Sequence, residues 1–156
     1  MLCISVEEFL FWKKKQLSKG GDQPSFDFLL DCIGGISSSD LNLKSLNPNE
    51  DIHLKKNLEF LGSVWDDHLL KSCPIQYLCG ITFWRDLKLK VTNKVLIPRP
   101  ETELIVDIVF NIFRKKSEKL FFAELGTGSG AISIALALAY PFSEGVATDI
   151  DQDALE

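Results

Sequence analysis

Phe121-Phe122-Ala123-Glu124-Leu125-Gly126-Thr127-Gly128-Ser129-Gly130-Ala131 is an apolar run that ends in an acid, turns through three alternating glycines and enters an apolar helix pattern from Ala131 to Tyr140. The order is strand, turn, helix. Glycine permits positive φ and lets a ligand approach the main chain with no Cβ in the way. A helix beginning near Gly130 offers unpaired N–H groups and a partial positive charge. Gly145 to Thr148 reads as a second strand, and Asp149 ends it, where a carboxylate can accept two hydrogen bonds from ribose hydroxyls. The whole is a βαβ unit that presents backbone donors to a nucleoside-type cofactor at the carboxyl end of a strand.

Upstream of that unit, Leu96-Ile97-Pro98-Arg99-Pro100-Glu101-Thr102-Glu103 is held extended by two prolines. Pro100 can open a helix with Leu104, Ile105, Ile108, Val109 and Ile112 as its apolar face. Arg114, Lys115 and Lys116 then fall in its last turn and complement the helix dipole. Ile81, Phe83, Leu87, Leu89 and Val91 alternate with polar residues, as in a hairpin, and Phe83 and Trp84 are expected in its core. The first third reads as helical. Ser5 and Glu8 form a capping box ahead of Val6, Phe9, Leu10 and Leu17, and Gly20-Gly21 stops that helix. A second helix starts near Pro24, carries Phe28, Leu29 and Cys32, and stops at Gly34-Gly35. Ser37 to Pro48 reads as a polar connection, and a third helix is expected from about Asn49 to Lys71, with Leu54, Leu58, Leu61, Trp65 and Leu69 in the core.

A net charge of −5 and a pI near 5.1 exclude a broad basic surface, so no direct nucleic-acid binding is expected. Glu7 and Glu8 stand where a signal peptide needs basic residues, and the apolar run Ala131 to Phe142 is shorter than the roughly 20 residues that span a bilayer. A cytoplasmic protein without membrane attachment is the expectation. Cys3, Cys32, Cys73 and Cys79 have no zinc-ligand spacing, and His53 and His68 lie elsewhere, on a predicted helix. Cys73 and Cys79 could form a redox pair, but buried free thiols are commoner in such a chain, so all four are read as structural and no metal is expected.

The glycine spacing separates cofactors. A dinucleotide fold uses G-x-G-x-x-G with room for a pyrophosphate. Here the order is G-x-G-x-G, with Glu124 two places before Gly126. An acid there suits a cofactor bearing an ammonium and a sulfonium and repels a pyrophosphate, which disfavours a NAD-dependent oxidoreductase. The arrangement resembles motif I of the class I S-adenosylmethionine-dependent methyltransferases; the bland reading is a glycine-rich turn in another α/β fold.

Further elements occur in order: Pro74-Ile75-Gln76-Tyr77-Leu78-Cys79-Gly80, Phe83-Trp84, Leu96-Ile97-Pro98-Arg99-Pro100-Glu101-Thr102-Glu103, then Glu124 to Ile132. Over nearly its whole length the chain resembles the release factor glutamine methyltransferase family. The resemblance implies an α/β protein with a small N-terminal helical domain (residues 1–72), a β-hairpin linker (73–95) and the first βαβ portion of a class I, Rossmann-like methyltransferase domain (96–156). It implies S-adenosyl-L-methionine as cofactor, with Gly126, Thr127, Gly128, Ser129 and Gly130 matching the cofactor loop and Asp149 the ribose-holding acid. Glu124 replaces the commoner aspartate, Arg99 falls in a segment beside the pocket, with a structural tether to the first strand as its simpler role, and Arg85 replaces the glycine usual after Phe-Trp.

The implied activity is N5-methylation of the glutamine in the Gly-Gly-Gln motif of peptide chain release factors, by a monomer whose partners are those factors. The family's catalytic Asn-Pro-Pro-Tyr is absent from this sequence, whose only Asn-Pro is Asn47-Pro48. The chain is therefore expected to be an N-terminal fragment with no catalytic residue, no transfer activity of its own and weak cofactor binding. The alternative is a non-catalytic remnant that at most binds a release factor. An in-frame Asn-Pro-Pro-Tyr downstream of codon 156 would separate the two.

Overall fold

The computed structural model describes residues 2–47, 50–115, 117 and 119–155. They form two compact units, residues 1–79 and 80–156.

In the first unit, β1 (Leu2–Ser5) runs into α1 (Val6–Leu17), followed by α2 (Gln23–Leu29), a π-helical turn (Leu30–Gly34), α3 (Ser38–Ser45), β2 (Asp51–Leu54), α4 (Leu58–Lys71) and α5 (Ile75–Cys79). Strands β1 and β2 pair antiparallel, from Leu2 opposite Leu54 to Ser5 opposite Asp51. Local chemistry starts each longer helix. Side-chain oxygens of Ser5, Asp22, Ser37 and Asn57 accept the backbone N–H of Glu8, Ser25, Asp40 and Phe60, satisfying donors that a helix start leaves unpaired. The core gathers Phe9, Phe26, Leu29, Leu61 and Trp65. Phe26 meets Trp65 edge-on at 4.8 Å between ring centroids, and the Trp65 indole N–H donates to the Gln16 carbonyl at 3.2 Å.

Three expectations change here. The helix read from Asn49 to Lys71 is two elements, because Ile52 and Leu54 are buried while Asp51 and His53 are exposed, a period of two that makes a strand, and Asn57 caps the true helix. Leu54, like Leu61 and Trp65, is a core residue, but it reaches the core from a strand, and His53 lies on that strand. The polar stretch after Ser37 contains α3, which buries only Leu41. Leu10 faces outward on α1, and Gln16 turns inward instead. Pro48 and Asn49, where the expected connection and helix meet, lie outside the described residues.

The second unit opens with a hairpin, β3 (Ile81–Trp84) against β4 (Leu87–Lys90), with Trp84 opposite Leu87. Trp84 and Leu89 are buried, whereas Phe83, expected in the hairpin core, is half exposed on the opposite face. The loop Arg85-Asp86 places Arg85 at φ 50°. A 3₁₀ turn (Pro100–Thr102) leads into α6 (Glu103–Ile112), and then come β5 (Phe121–Leu125), α7 (Ala131–Ala139), β6 (Glu144–Thr148) and a 3₁₀ turn at Gln152–Ala154. Strands β5 and β6 are parallel, Phe121 opposite Glu144 through Leu125 opposite Thr148, so the βαβ unit is present. Helix α6 carries one polar stripe, Glu103, Asp107 and Asn111, and is apolar on either side of it. Its buried side is Val106, with Val109 and Phe110 partly covered, while Leu104, Ile105, Ile108 and Ile112 of the expected face are exposed. The helix stops at Ile112, so Arg114 and Lys115 lie beyond it rather than in its last turn; Arg114 Nε still donates to the Asn111 carbonyl, and Lys116 is outside the described residues. Among the described residues no helix is long and apolar enough to cross a membrane.

Candidate functional site

The turn between β5 and α7 is built from backbone first. Gly126, Gly128 and Gly130 stand at φ 75°, 54° and 74°, the left-handed region that L side chains rarely adopt. A Cβ on Gly126 or Gly128 would meet no atom within 4 Å, so conformation rather than crowding within the chain requires glycine there, and the space beside both is open. The N–H groups of Gly126 and Thr127 both donate to the Thr148 carbonyl, at 2.8 and 2.9 Å, which ties the turn to the carboxyl end of β6.

Asp149 follows that strand end directly. Its Oδ2 accepts the Gly128 N–H at 2.8 Å and its Oδ1 accepts the Asp151 N–H at 3.0 Å. These donors, Asp151 first and Gly128 next, hold its carboxyl below the usual aspartate range. Each oxygen keeps a second lone pair, so capacity to accept from hydroxyls remains.

Glu124 lies one residue inside the end of β5. Its Oε2 gathers three donors: the Thr127 hydroxyl at 2.8 Å, the Ser133 N–H at 3.0 Å, and the Ser133 hydroxyl. A strand-end carboxylate thereby caps α7 from outside the helix.

A cavity of about 760 Å³ opens beside the turn, within the range of small-molecule sites, about 300–1,000 Å³. Thr127, Gly128, Ser129, Gly130 and Ser133 line one side, and Lys88, Lys90, Lys94 and Val95, from β4 and the loop after it, line the other. Lys94 Nζ is 3.6 Å from Asp153 Oδ2 and 4.0 Å from Asp151 Oδ2, joining that loop to the segment after Asp149. The structure thus brings seven of the eight sequence-predicted site residues to one turn. Five of them form the turn, four of these facing the cavity, while Glu124 and Asp149 stand behind it, bonded to its donors. Arg99 is placed elsewhere: its carbonyl accepts the Trp84 indole N–H at 3.0 Å, tethering the proline-rich segment to β3.

Sequence reasoning missed Ser133 and Lys94. Ser133 is the third residue of α7, a position where a capping partner could be sought, but its partner Glu124 comes from the preceding strand and no local pattern pairs them. The thiols take no part. Burial, with Cys32 beside it, pushes the Cys79 thiol up to about 12, and Cys73 turns toward the Pro74 carbonyl. Among the described residues there is no metal-ligating cluster.

By fold and site this is an α/β protein in which a glycine turn and a strand-end acid meet at the carboxyl edge of two parallel strands. Comparison with known proteins takes the assignment further: over most of its length the chain is similar to curated release factor glutamine methyltransferases. It is 43% identical over 156 residues to the release factor glutamine methyltransferase of Prochlorococcus marinus, an alignment covering 97% of this chain and 52% of that protein. It is 40% identical over 127 residues to that of Thermosynechococcus vestitus, covering 81% of this chain and 43% of that one. With that of Coxiella burnetii it shares 37% identity over 155 residues, 98% of this chain and 54% of the relative. The chain spans about half the length of these curated relatives. No protein-family model matches it.

Proposed function

We propose that this chain carries the cofactor-loop portion of an enzyme that uses S-adenosyl-L-methionine to methylate the side-chain amide nitrogen of the glutamine in the Gly-Gly-Gln motif of peptide chain release factors. The observation that carries the reading is the meeting of three left-handed glycines with Asp149 at one parallel-strand edge. In this reading the chain has three parts: a helical domain over 1–72, a hairpin linker over 73–95, and the start of a class I methyltransferase domain over 96–156. The protein works in the cytoplasm, where translation terminates.

The residues present fit such a cofactor. Open space beside Gly126 and Gly128 would admit it against the main chain, and Asp149 retains acceptor capacity for ribose hydroxyls. Glu124 would supply negative charge that suits a cofactor bearing cationic groups. When bound, the cofactor supplies an electrophilic methyl group on a sulfonium. An amide nitrogen is a poor nucleophile because its lone pair is delocalised into the carbonyl, so catalysis on it depends on aiming the nitrogen in line with the methyl carbon. The sequence holds no Asn-Pro-Pro-Tyr to do that. The 156 residues alone bind and orient the cofactor loop without completing the transfer.

Two measurements test this. With tritiated S-adenosylmethionine and a peptide chain release factor, the 156-residue chain should transfer no label above background; measurable transfer would overturn the inactivity assigned to it. In titrations followed by backbone amide NMR, S-adenosylhomocysteine should move the resonances of Gly126 to Gly130 at millimolar concentrations. A micromolar dissociation constant would contradict the weak binding expected of this chain, and tighter binding of NAD would sink the methyltransferase reading.

A further inference from the structure

Away from the glycine turn, the fold brings together two thiols that the sequence keeps far apart. Spacing alone offers Cys73 as the neighbour of Cys79, but the Cys79 thiol is hydrogen-bonded to Cys32, whereas Cys73 turns toward the Pro74 carbonyl. Cys32 lies in the π-helical turn Leu30–Gly34 and Cys79 is the last residue of α5, so both belong to the first unit. The core holds these two elements in place. Leu29, Leu30 and Ile75 are buried in one cluster, and Ile33, Leu78 and Cys79 pack against it. Both thiols are half-buried, so neither is sealed from a small solute.

We propose that Cys32 and Cys79 form a reversible oxidation site, a dithiol that low-molecular-weight disulfides convert to a Cys32–Cys79 bridge. The exchange balances. Cys32 loses its proton and its sulfur attacks oxidised glutathione, whose S–S bond breaks to release one glutathione thiolate. Cys79 then loses its proton, and its sulfur attacks Cys32 and expels the second glutathione. Each glutathione thiolate takes up a proton, so two protein thiols lose two electrons and one glutathione disulfide becomes two thiols. Burial pushes the Cys79 thiol up to about 12, which makes it a poor opening nucleophile and suits it to the second step, where proximity makes up for scarce thiolate. The bridge closes the chain around α3, β2 and α4 and fixes α5 against the π-helical turn, at the residue where the first unit ends. Closing so long a loop constrains the unfolded chain and stabilises the folded unit. In a reducing medium the pair stays a dithiol, so the site responds to redox poise instead of acting as a permanent staple. It stands apart from the glycine turn and does not depend on the reaction proposed above.

The test incubates the complete 156-residue chain with mixtures of reduced and oxidised glutathione, quenches with N-ethylmaleimide, and reads the intact mass and the proteolytic peptides. The wild type should lose two of its four alkylatable thiols and yield a linked Cys32–Cys79 peptide, and dithiothreitol should restore all four. Cys73→Ser should oxidise as the wild type does, whereas Cys32→Ser should give only glutathione-capped products. In urea, the oxidised wild type should show an unfolding equilibrium constant at least tenfold lower than the reduced form. The linked peptide is read on the wild type, so the outcome is decided even where Cys32→Ser fails to fold. The proposal is overturned if Cys73–Cys79 is the dominant bridge, if only mixed disulfides with glutathione form at every ratio, if the Cys32–Cys79 bridge appears only in unfolding concentrations of urea, or if oxidation fails to raise stability.

Discussion

Arg85 holds a φ of 50° in a two-residue hairpin loop, at the first loop position, where such loops favour glycine. Side-chain contacts offset that strain: its guanidinium bonds Asp107 Oδ1 at 2.8 Å, donates to the Glu103 carbonyl, and lies over the Phe110 ring at 5.6 Å. The arginine therefore exchanges loop comfort for a tether onto α6. Arg85→Ala and Arg85→Gly lose the same tether and differ only in the backbone, so Arg85→Ala should be the less stable by about 1 kcal/mol in urea unfolding. Equal stabilities would mean that the loop carries no strain. Asp149 permits a prediction in pH. Its carboxyl is held below the usual range by the Asp151 and Gly128 N–H groups, so the charged form belongs to the folded turn. The latch is therefore fully present above the ordinary aspartate value of about 3.9 and is lost as pH falls through the lower folded value. The Gly128 amide shift should titrate with a midpoint below that of a free aspartate, and Asp149→Asn should flatten the curve.

Helix α4 crosses α1 at Gly62, whose missing side chain faces Gln16. A Cβ there would stand 3.5 Å from Gln16 Nε2 and 3.8 Å from its Cδ and Oε1, ordinary contact distances, in a helical conformation that alanine prefers. Gly62→Ala should stabilise the chain by about 1 kcal/mol in urea unfolding. A loss of stability would show that the crossing is closer packed than these distances imply. Gly21 is the contrasting case: at φ 82°, with a Cβ that would lie 2.5 Å from the buried Trp65 ring, no alanine fits without displacement. Elements of this kind divide by how locally they are encoded. The caps at Ser5, the stop at Gly34-Gly35, the hairpin and the glycine turn were legible because each rests on neighbouring residues or on φ alone. Strands β1 and β2 were not, since each has four residues and their burial comes from pairing nearly fifty positions apart. Helix α3 was hidden by having one buried residue, and the inward side of α6 by apolar residues on both flanks of its Glu103–Asp107–Asn111 stripe. In the site, the acids and glycines could be read, but the Glu124–Ser133 clamp and the lysines of the cavity wall come from tertiary placement and have no sequence period.

Apolar surface is distributed unevenly between the two units. The first encloses Phe9, Phe26, Leu61 and Trp65 completely. In the second, the described sheet is two strands wide, every residue of β6 is exposed, and Phe121 and Leu125 of β5 are 72% and 82% exposed. Leu104, Ile108 and Ile112 recur every fourth residue along α6 and so form one exposed apolar stripe, with Ile105 beside it. Contiguous apolar patches beyond a few hundred Å² are uncommon on monomers and drive association, and unpaired strand edges add to the tendency. The 156-residue chain should therefore self-associate with rising concentration in sedimentation velocity, through the second unit. Ile108 is the centre of the stripe and half exposed, so Ile108→Glu adds a charge in mid-patch while removing little packing. That variant should weaken association about tenfold or more, equivalent to roughly 1.4 kcal/mol, with the unfolding midpoint nearly unchanged. If Ile108→Glu associates as the parent does, the contact runs instead along the sheet edge, and a charge placed at Val146 on β6 should then be the one that relieves it.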